Sequence, residues 1–159
     1  MVQKNLKRFL VLALGVYVLY GAFHPEAFAL LNGANLLFHE GGHTVFGIFG
    51  EFIGILGGTL MQLLIPLSVA IYFIKTGQKY SAAVGMIWFG QNFFHIAPYI
   101  KDARSQSLPL VGGDIHDWSY ILGKFHLLEM DQIISTGAWL LGIKIVVLTV
   151  ILAFFIKSE

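Results

Sequence analysis

The feature that most limits what this chain can fold into is the scarcity of polar interruptions. About five stretches follow one another, each close to the roughly 20 apolar residues a helix needs to cross a hydrocarbon core, and together they use up almost the whole sequence. FLVLALGVYVLYGAF, behind Lys4, Lys7 and Arg8, reads as a retained first span over 9–24 closed by Pro25; a basic head before an apolar run is also the pattern of a signal peptide, with a cleavage point near EAFA. A second span runs from about Ala27 to Gly50. The glycine-rich GILGG at 54–58 opens or interrupts a third, which continues to Ile74, and a short polar turn over Lys75–Lys79 leads into a fourth at about Tyr80–Tyr99. After the one long polar segment, KDARSQSLPLVGGDIHD, come a moderately apolar helix over Trp118–Leu128 and a last span over 133–156. The expected fold is an all-α integral membrane protein, with about five transmembrane helices plus a short helix after a polar loop, in a single membrane domain over 1–159.

Composition agrees with a lipid solvent. Hydrophobic residues make up 57% and charged residues 12% of the chain, and the mean hydropathy is +0.75, far from the balance of soluble domains. The bilayer is therefore the first expected partner. A formal net charge of +1 gives no reason to expect nucleic acid. The absence of cysteine rules out disulfides, thiolate ligands and a cysteine nucleophile, so any metal must be held by His, Asp or Glu. With the basic N-terminus inside, four crossings bring Lys101 and Arg104 inside too, while Lys75 and Lys79 fall outside against the positive-inside rule. The expected location is a prokaryotic cytoplasmic membrane, crossed several times, with the N-terminus inside.

Within the second span lies LLFHEGGHTVFGIFG, residues 36–50, where His39, Glu40 and His43 interrupt apolar and small residues. Positions i and i+4 stack on one helix face, so His39 and His43 can present imidazole nitrogens to one ion, with Glu40 about 100° around the helix. This is the H-E-x-x-H arrangement, two zinc-binding histidines with a glutamate as general base. Zn2+ acidifies water to a pKa of about 7, and a neighbouring carboxylate can take the proton as a carbonyl is attacked. The structural alternative is buried polar groups that pair with other helices. An ionisable cluster inside a span is costly enough to favour a functional reading. Catalytic zinc usually takes three protein ligands, and His95, Asp102, Asp114, His116 and Asp117 are the candidates for the third.

HEGGH followed by TVFGIFG resembles the HExGH helix of the site-2 protease family of intramembrane zinc metalloproteases, including the small Gly42. HDWSYIL, residues 116–122, can be laid over the family's L-D-G-G-x-I-L segment, and Asn92 in GQNFFHIAPY is similar to the asparagine upstream of the family's proline, here Pro98. Trp118 stands where the family has glycine, and Lys101 to Gly113 reads as an insertion. The resemblance covers about 30–125, leaving an extra N-terminal span at 9–24 and a C-terminal span at 133–156. It implies metal ligands His39, His43 and Asp117, with His116 and Asp102 as alternates, Glu40 as catalytic base, Zn2+ as cofactor and a transmembrane or membrane-proximal protein as substrate. Asp117 also suits a helix N-cap, and Asp114 in GGD suits an ordinary turn.

Other polar residues have simpler readings. Gln62, Gln91 and Asn92 suit inter-helix hydrogen bonding, although Asn92 also suits catalysis by holding a substrate backbone or an oxyanion. His95, three residues on, becomes a supporting group if that face looks toward His39. His24 and His126 lie near span ends. Lys144, inside the last span, needs a partner such as Asp131 of a neighbour, a lipid phosphate or a core carboxylate. The glycines of 54–58 offer a possible opening for substrate. The functional expectation is a membrane-embedded zinc metalloprotease. The rivals are a zinc-dependent membrane lipid hydrolase, a metal or proton transporter using the same His and Asp residues, and a haem protein, although two histidines on one helix more naturally face a small ion. Nitrogen and oxygen ligands would also admit iron, cobalt or nickel.

Overall fold

Each apolar run folds as a helix whose ends fall where glycine or a polar turn stops it. The computed structural model describes residues 2–111 and 115–156, so Asp114 lies outside the described residues. The helices are α1 (Val2–Gly21), α2 (Ala29–Gly47), α3 (Glu51–Lys75), α4 (Lys79–Lys101), α5 (Asp117–Lys124) and α6 (Asp131–Phe154), with 3-10 turns over Pro25–Phe28 and Leu128–Met130 and no strand among the described residues. Gly50 at φ 101° and Gly77 at φ 79° occupy the left-handed region that side chains avoid, and they form the tight links before α3 and α4. Two stretches, Glu51–Lys75 and Leu128–Phe154, are long and apolar enough to cross a membrane.

Several boundaries differ from expectation. The first helix begins at Val2, taking in Lys4, Lys7 and Arg8, and ends at Gly21 instead of covering 9–24. The helix after the polar loop ends at Lys124 instead of 128. GILGG neither opens nor interrupts a span: α3 runs through it unbroken, with Gly54, Gly57 and Gly58 buried. The reason is close packing on α2. A Cβ on Gly42 would lie 2.1 Å from the Gly57 carbonyl oxygen, and one on Gly57 would lie 2.7 Å from that of Gly42. Only small residues let two helix backbones approach this closely, so Gly57 closes the contact with α2 at Gly42, while Gly54 lines the cleft described below.

Helix α4 packs against α6, α3 and α1, whereas α2 packs chiefly on α3. Residue pairs fix the directions. Ala70 meets Gly85, and Gln62 meets His95, so α3 and α4 are antiparallel. Gln132 bonds the Lys101 carbonyl and Gly142 meets Gly90, so α6 is antiparallel to α4. Arg8 bonds the carbonyls of Phe154 and Ile156, covering acceptors that a helix C-terminus leaves unsatisfied, and Trp139 bonds the Ala22 carbonyl, so α6 is also antiparallel to α1. Helix α1 therefore runs the same way as α4, and Lys7 sits over the Tyr80 ring at 5.5 Å.

The connection from α1 to α2 makes no hairpin. Phe28 packs on Gly21, Tyr17 bonds the Ala27 carbonyl, and α2 then proceeds toward the end where α3 begins. Thus α1 and α2 together make one pass along the bundle, and α3, α4 and α6 make the others. This corrects the expected alternation of five spans. It also regroups the charges: Lys4, Lys7 and Arg8 share an end with Lys75 and Lys79, while Lys101 and Arg104 stand at the opposite end with Glu51, Asp102, Glu129 and Asp131.

Candidate metal centre

Because α2 and α4 both lean on α3 without packing along each other, a cleft opens between them. It encloses about 860 Å³, is floored by α3 and is covered by Leu108–Val111 and Ile115. Three stripes with four-residue spacing converge on it: Asn35, His39 and His43 on α2; Gly54, Gly58 and Gln62 on α3; Gln91, His95 and Tyr99 on α4, of which His39, His43, Gly54, Gln62, His95 and Tyr99 line the cleft. The deeper end is held by hydrogen bonds from Asn35 to Gln91 at 2.7 Å, from Trp88 to Asn35 at 2.9 Å and from Gln91 to Asn32 at 3.1 Å. These satisfy the buried amides, and Gln91 is the inter-helix tie expected of it.

His39 and His43 converge on one carboxylate. His39 Nε2 is 2.8 Å from Asp117 Oδ2, and His43 Nε2 is 3.3 Å from the same oxygen. The opposite ring nitrogens are both occupied. His43 Nδ1 lies 2.9 Å from the Gly54 carbonyl oxygen, and His39 Nδ1 lies 3.3 Å from Gln62 Oε1. A carbonyl can only accept, so each Nδ1 carries a proton, and Nε2 is the nitrogen left to face Asp117, donating to it when protonated and free to ligate a cation when not. Gln62 Nε2 in turn donates to His95 Nδ1 at 2.9 Å. His95 thus supports His39 through Gln62, and Gln62 does more than tie helices together. Such carbonyl and amide partners are what hold metal-ligating histidines in one tautomer.

Asp117 is held just as firmly. Ile121 and Leu122 bury α5 against the bundle, and the Asp117 amide donates to the Tyr99 hydroxyl at 3.1 Å. The cap of α5 is His116, whose Nδ1 accepts from the Ser119 amide at 3.2 Å. The carboxylate of Asp117 is therefore not used as an N-cap and stays directed at the histidines.

Asp102 and His116, the alternates for the third ligand, face each other and not His39, with His116 Nε2 3.4 Å from Asp102 Oδ2. Asp102 also accepts from the Ser105 hydroxyl at 2.5 Å and from the amides of Ser107 and Leu108, each at 2.9 Å. Burial pushes its carboxyl up, but these hydrogen bonds and the adjacent His116 outweigh that and hold it below the usual carboxylate range. The pair fastens the loop that covers the cleft.

The donor set suits a small ion. Ligand atoms about 2.0–2.2 Å from tetrahedral zinc lie about 3.3 Å or slightly more apart, which is the His43–Asp117 separation, and His39 needs to withdraw from Asp117 by only about half an ångström. The ligand-capable atoms of His39, Glu40 and His43 all lie within 4.8 Å of one another. Glu40 lines the cleft half-buried, and its carboxylate takes no hydrogen bond from another described residue.

Asn92 stands apart. Its amide donates to the Trp88 carbonyl within α4 at 2.9 Å, and it is not among the residues lining the cleft, because the stripe through His95 and Tyr99 is the one that faces α2. The catalytic placement expected of Asn92 is therefore not met. Tyr99 and Thr59 are cleft residues that sequence reasoning passed over. Tyr99 stands four residues after His95, and that spacing was the available signal. His24 and Lys144 are not among the residues that line the cleft, and Asp131 is taken by Arg104 at 2.8 Å. The chain matches no family model, no curated protein and no solved structure.

Proposed function

We propose that this protein is an integral membrane zinc metallopeptidase that hydrolyses a peptide bond within or beside the bilayer. The observation that carries the reading is the convergence of His39 Nε2, His43 Nε2 and Asp117 Oδ2, with both Nδ1 atoms committed to acceptors. Two imidazole nitrogens and a carboxylate oxygen aimed at one point are the donor set a divalent cation takes, and a proton shared with Asp117 holds the same geometry without one. Zinc bound there supplies Lewis acidity, polarising a carbonyl and acidifying water. Glu40, unbonded and beside the ligand atoms, accepts the proton from the attacking water and returns it to the leaving amine. Tyr99 reaches the cleft with a hydroxyl proton that its contact to the Asp117 amide does not consume, so it donates to the oxygen on which charge develops, the role once open to Asn92. The covering loop at Leu108–Val111 limits water around the scissile bond.

The membrane setting rests on surface chemistry. Large apolar side chains such as Phe9, Leu10, Leu64, Ile71, Leu148 and Leu152 stand exposed along α1, α3 and α6, and soluble monomers rarely expose apolar surface on this scale. The basic end faces the cytoplasm by the positive-inside rule, and the metal centre then lies in the opposite half of the bilayer.

The test is zinc content and peptide cleavage by detergent-purified protein, using a panel of synthetic transmembrane peptides. About one zinc per chain, lost in His39→Ala/His43→Ala, is expected, with cleavage abolished and zinc retained in Glu40→Gln. Absence of bound zinc in wild type would retire the reading. Zinc with hydrolysis of lipid esters and of no peptide would transfer it to a membrane lipid hydrolase.

A further inference from the structure

Lys144 lies on α6, the helix of the most apolar stretch, and it is exposed. At 100° per residue it points almost directly away from Gly142 and Val146, which are buried against α4. Exposed Leu140, Leu141, Val147 and Leu148 surround it. At 1.5 Å per residue it sits about 20 Å from the Asp131 end of α6 and about 15 Å from the Phe154 end. An extended lysine stem covers less than half of either distance, so its ammonium cannot reach water by snorkelling. It has no hydrogen bond or ion pair with a described residue, and the carboxylate of Asp131 is bonded to Arg104.

We infer that the outward face of α6 around Lys144 docks a transmembrane helix of a second protein that carries a carboxylate near its own midpoint. The inference rests on the membrane reading above. Charge complementarity selects the occupant, because an ammonium in hydrocarbon is stabilised by an opposite charge at the same depth. A second copy related by a two-fold axis would set Lys144 against Lys144. Among the described residues the mid-helix carboxylate Glu40 belongs to the cleft. Substrate in the cleft is not the occupant either, because α4 lies between α6 and that cleft. The face is therefore a site for an accessory or regulatory membrane protein.

Energy transfer in phosphatidylcholine vesicles tests this, between labelled protein and synthetic leucine-rich transmembrane peptides with a central aspartate or a central asparagine. The aspartate peptide is expected to associate at least tenfold more tightly than the asparagine peptide. Lys144→Arg should keep that preference and Lys144→Gln should abolish it, with zinc content unchanged in both. A preference that is absent in wild type, or that survives in Lys144→Gln, overturns the inference while leaving the metallopeptidase reading intact. Flotation of the vesicles after an alkaline wash separates the two: protein that fails to float sinks the membrane reading and this inference with it.

Discussion

His43 Nδ1 stands 2.9 Å from the carbonyl oxygen of Gly54, so a backbone group of α3 sets the tautomer of a side chain on α2. That contact directs Nε2 to Asp117, and Asp117 reaches it only because α5 begins beside Tyr99. Metal content should follow this geometry. Asp117→Ala is expected to lose bound zinc as completely as His39→Ala, whereas Asp102→Asn and His116→Gln should retain it. Plasma mass spectrometry on the four variants decides, and an unchanged content in Asp117→Ala would remove it from the ligand set.

Gln62 makes a prediction of a different size. It supports His39 from behind and is itself held by His95. Partners of this kind are worth about 10–100-fold in metal affinity. Gln62→Leu should therefore weaken zinc by about that factor in a chelator competition without abolishing binding, and His95→Phe should have a smaller effect in the same direction.

Gly58 tests how closely α3 approaches the imidazoles of His39 and His43. A Cβ there would lie 2.7 Å from His39 Nε2 and 2.7 Å from His43 Nε2. Gly58→Ala should displace the imidazoles and lower zinc affinity with little change in thermal stability. Gly42→Ala is the control at the helix crossing. Its Cβ would meet a backbone carbonyl, which cannot turn aside, and the resulting overpacking should cost about 1–3 kcal/mol of stability.

Much of the centre was legible because it is local. H-E-x-x-H on one helix states its own geometry, so His39, Glu40 and His43 needed no tertiary information. The aspartate was harder, since Asp102, His116 and Asp117 flank one polar loop and only the folded loop shows that two of them pair together. Asn92 and Tyr99 illustrate what single-helix reasoning lacks: both lie on α4, and which stripe faces the cleft depends on how α4 rotates against α3 and α6. Helix direction was the least legible feature. Hydropathy counts apolar runs but does not reveal that the turn at Pro25–Phe28 fails to reverse the chain, leaving α1 and α2 to share one pass.

The Asp102 carboxyl gives the covering loop an acid limit. Its folded pKa lies below the ordinary value of 3.8. Stability from a depressed carboxyl is present above the unfolded pKa and is lost as pH falls through the folded one. The loop should hold at pH 5 and loosen only in acid below about pH 3.8. Amide hydrogen exchange at Ser107 and Leu108, whose amides bond Asp102, reads this out, and Asp102→Asn should raise exchange already at neutral pH.

The arrangement of passes separates the structure from the simple alternation of spans. Alternation puts the N-terminus on the same side as the loop after Lys101 and across the membrane from the turn at Thr76–Gln78. The folded bundle does the reverse, because Lys7 lies over Tyr80 at the start of α4, while Lys101 ends α4 at the far end. The chain has no cysteine, so single cysteines can be introduced without background. Gln3→Cys and Gln78→Cys should react with an impermeant maleimide from one side of sealed vesicles, and Gln106→Cys from the other. Labelling of Gln3→Cys and Gln106→Cys from a common side would mean that α1 and α2 each cross the bilayer, and the four-pass arrangement would have to be abandoned.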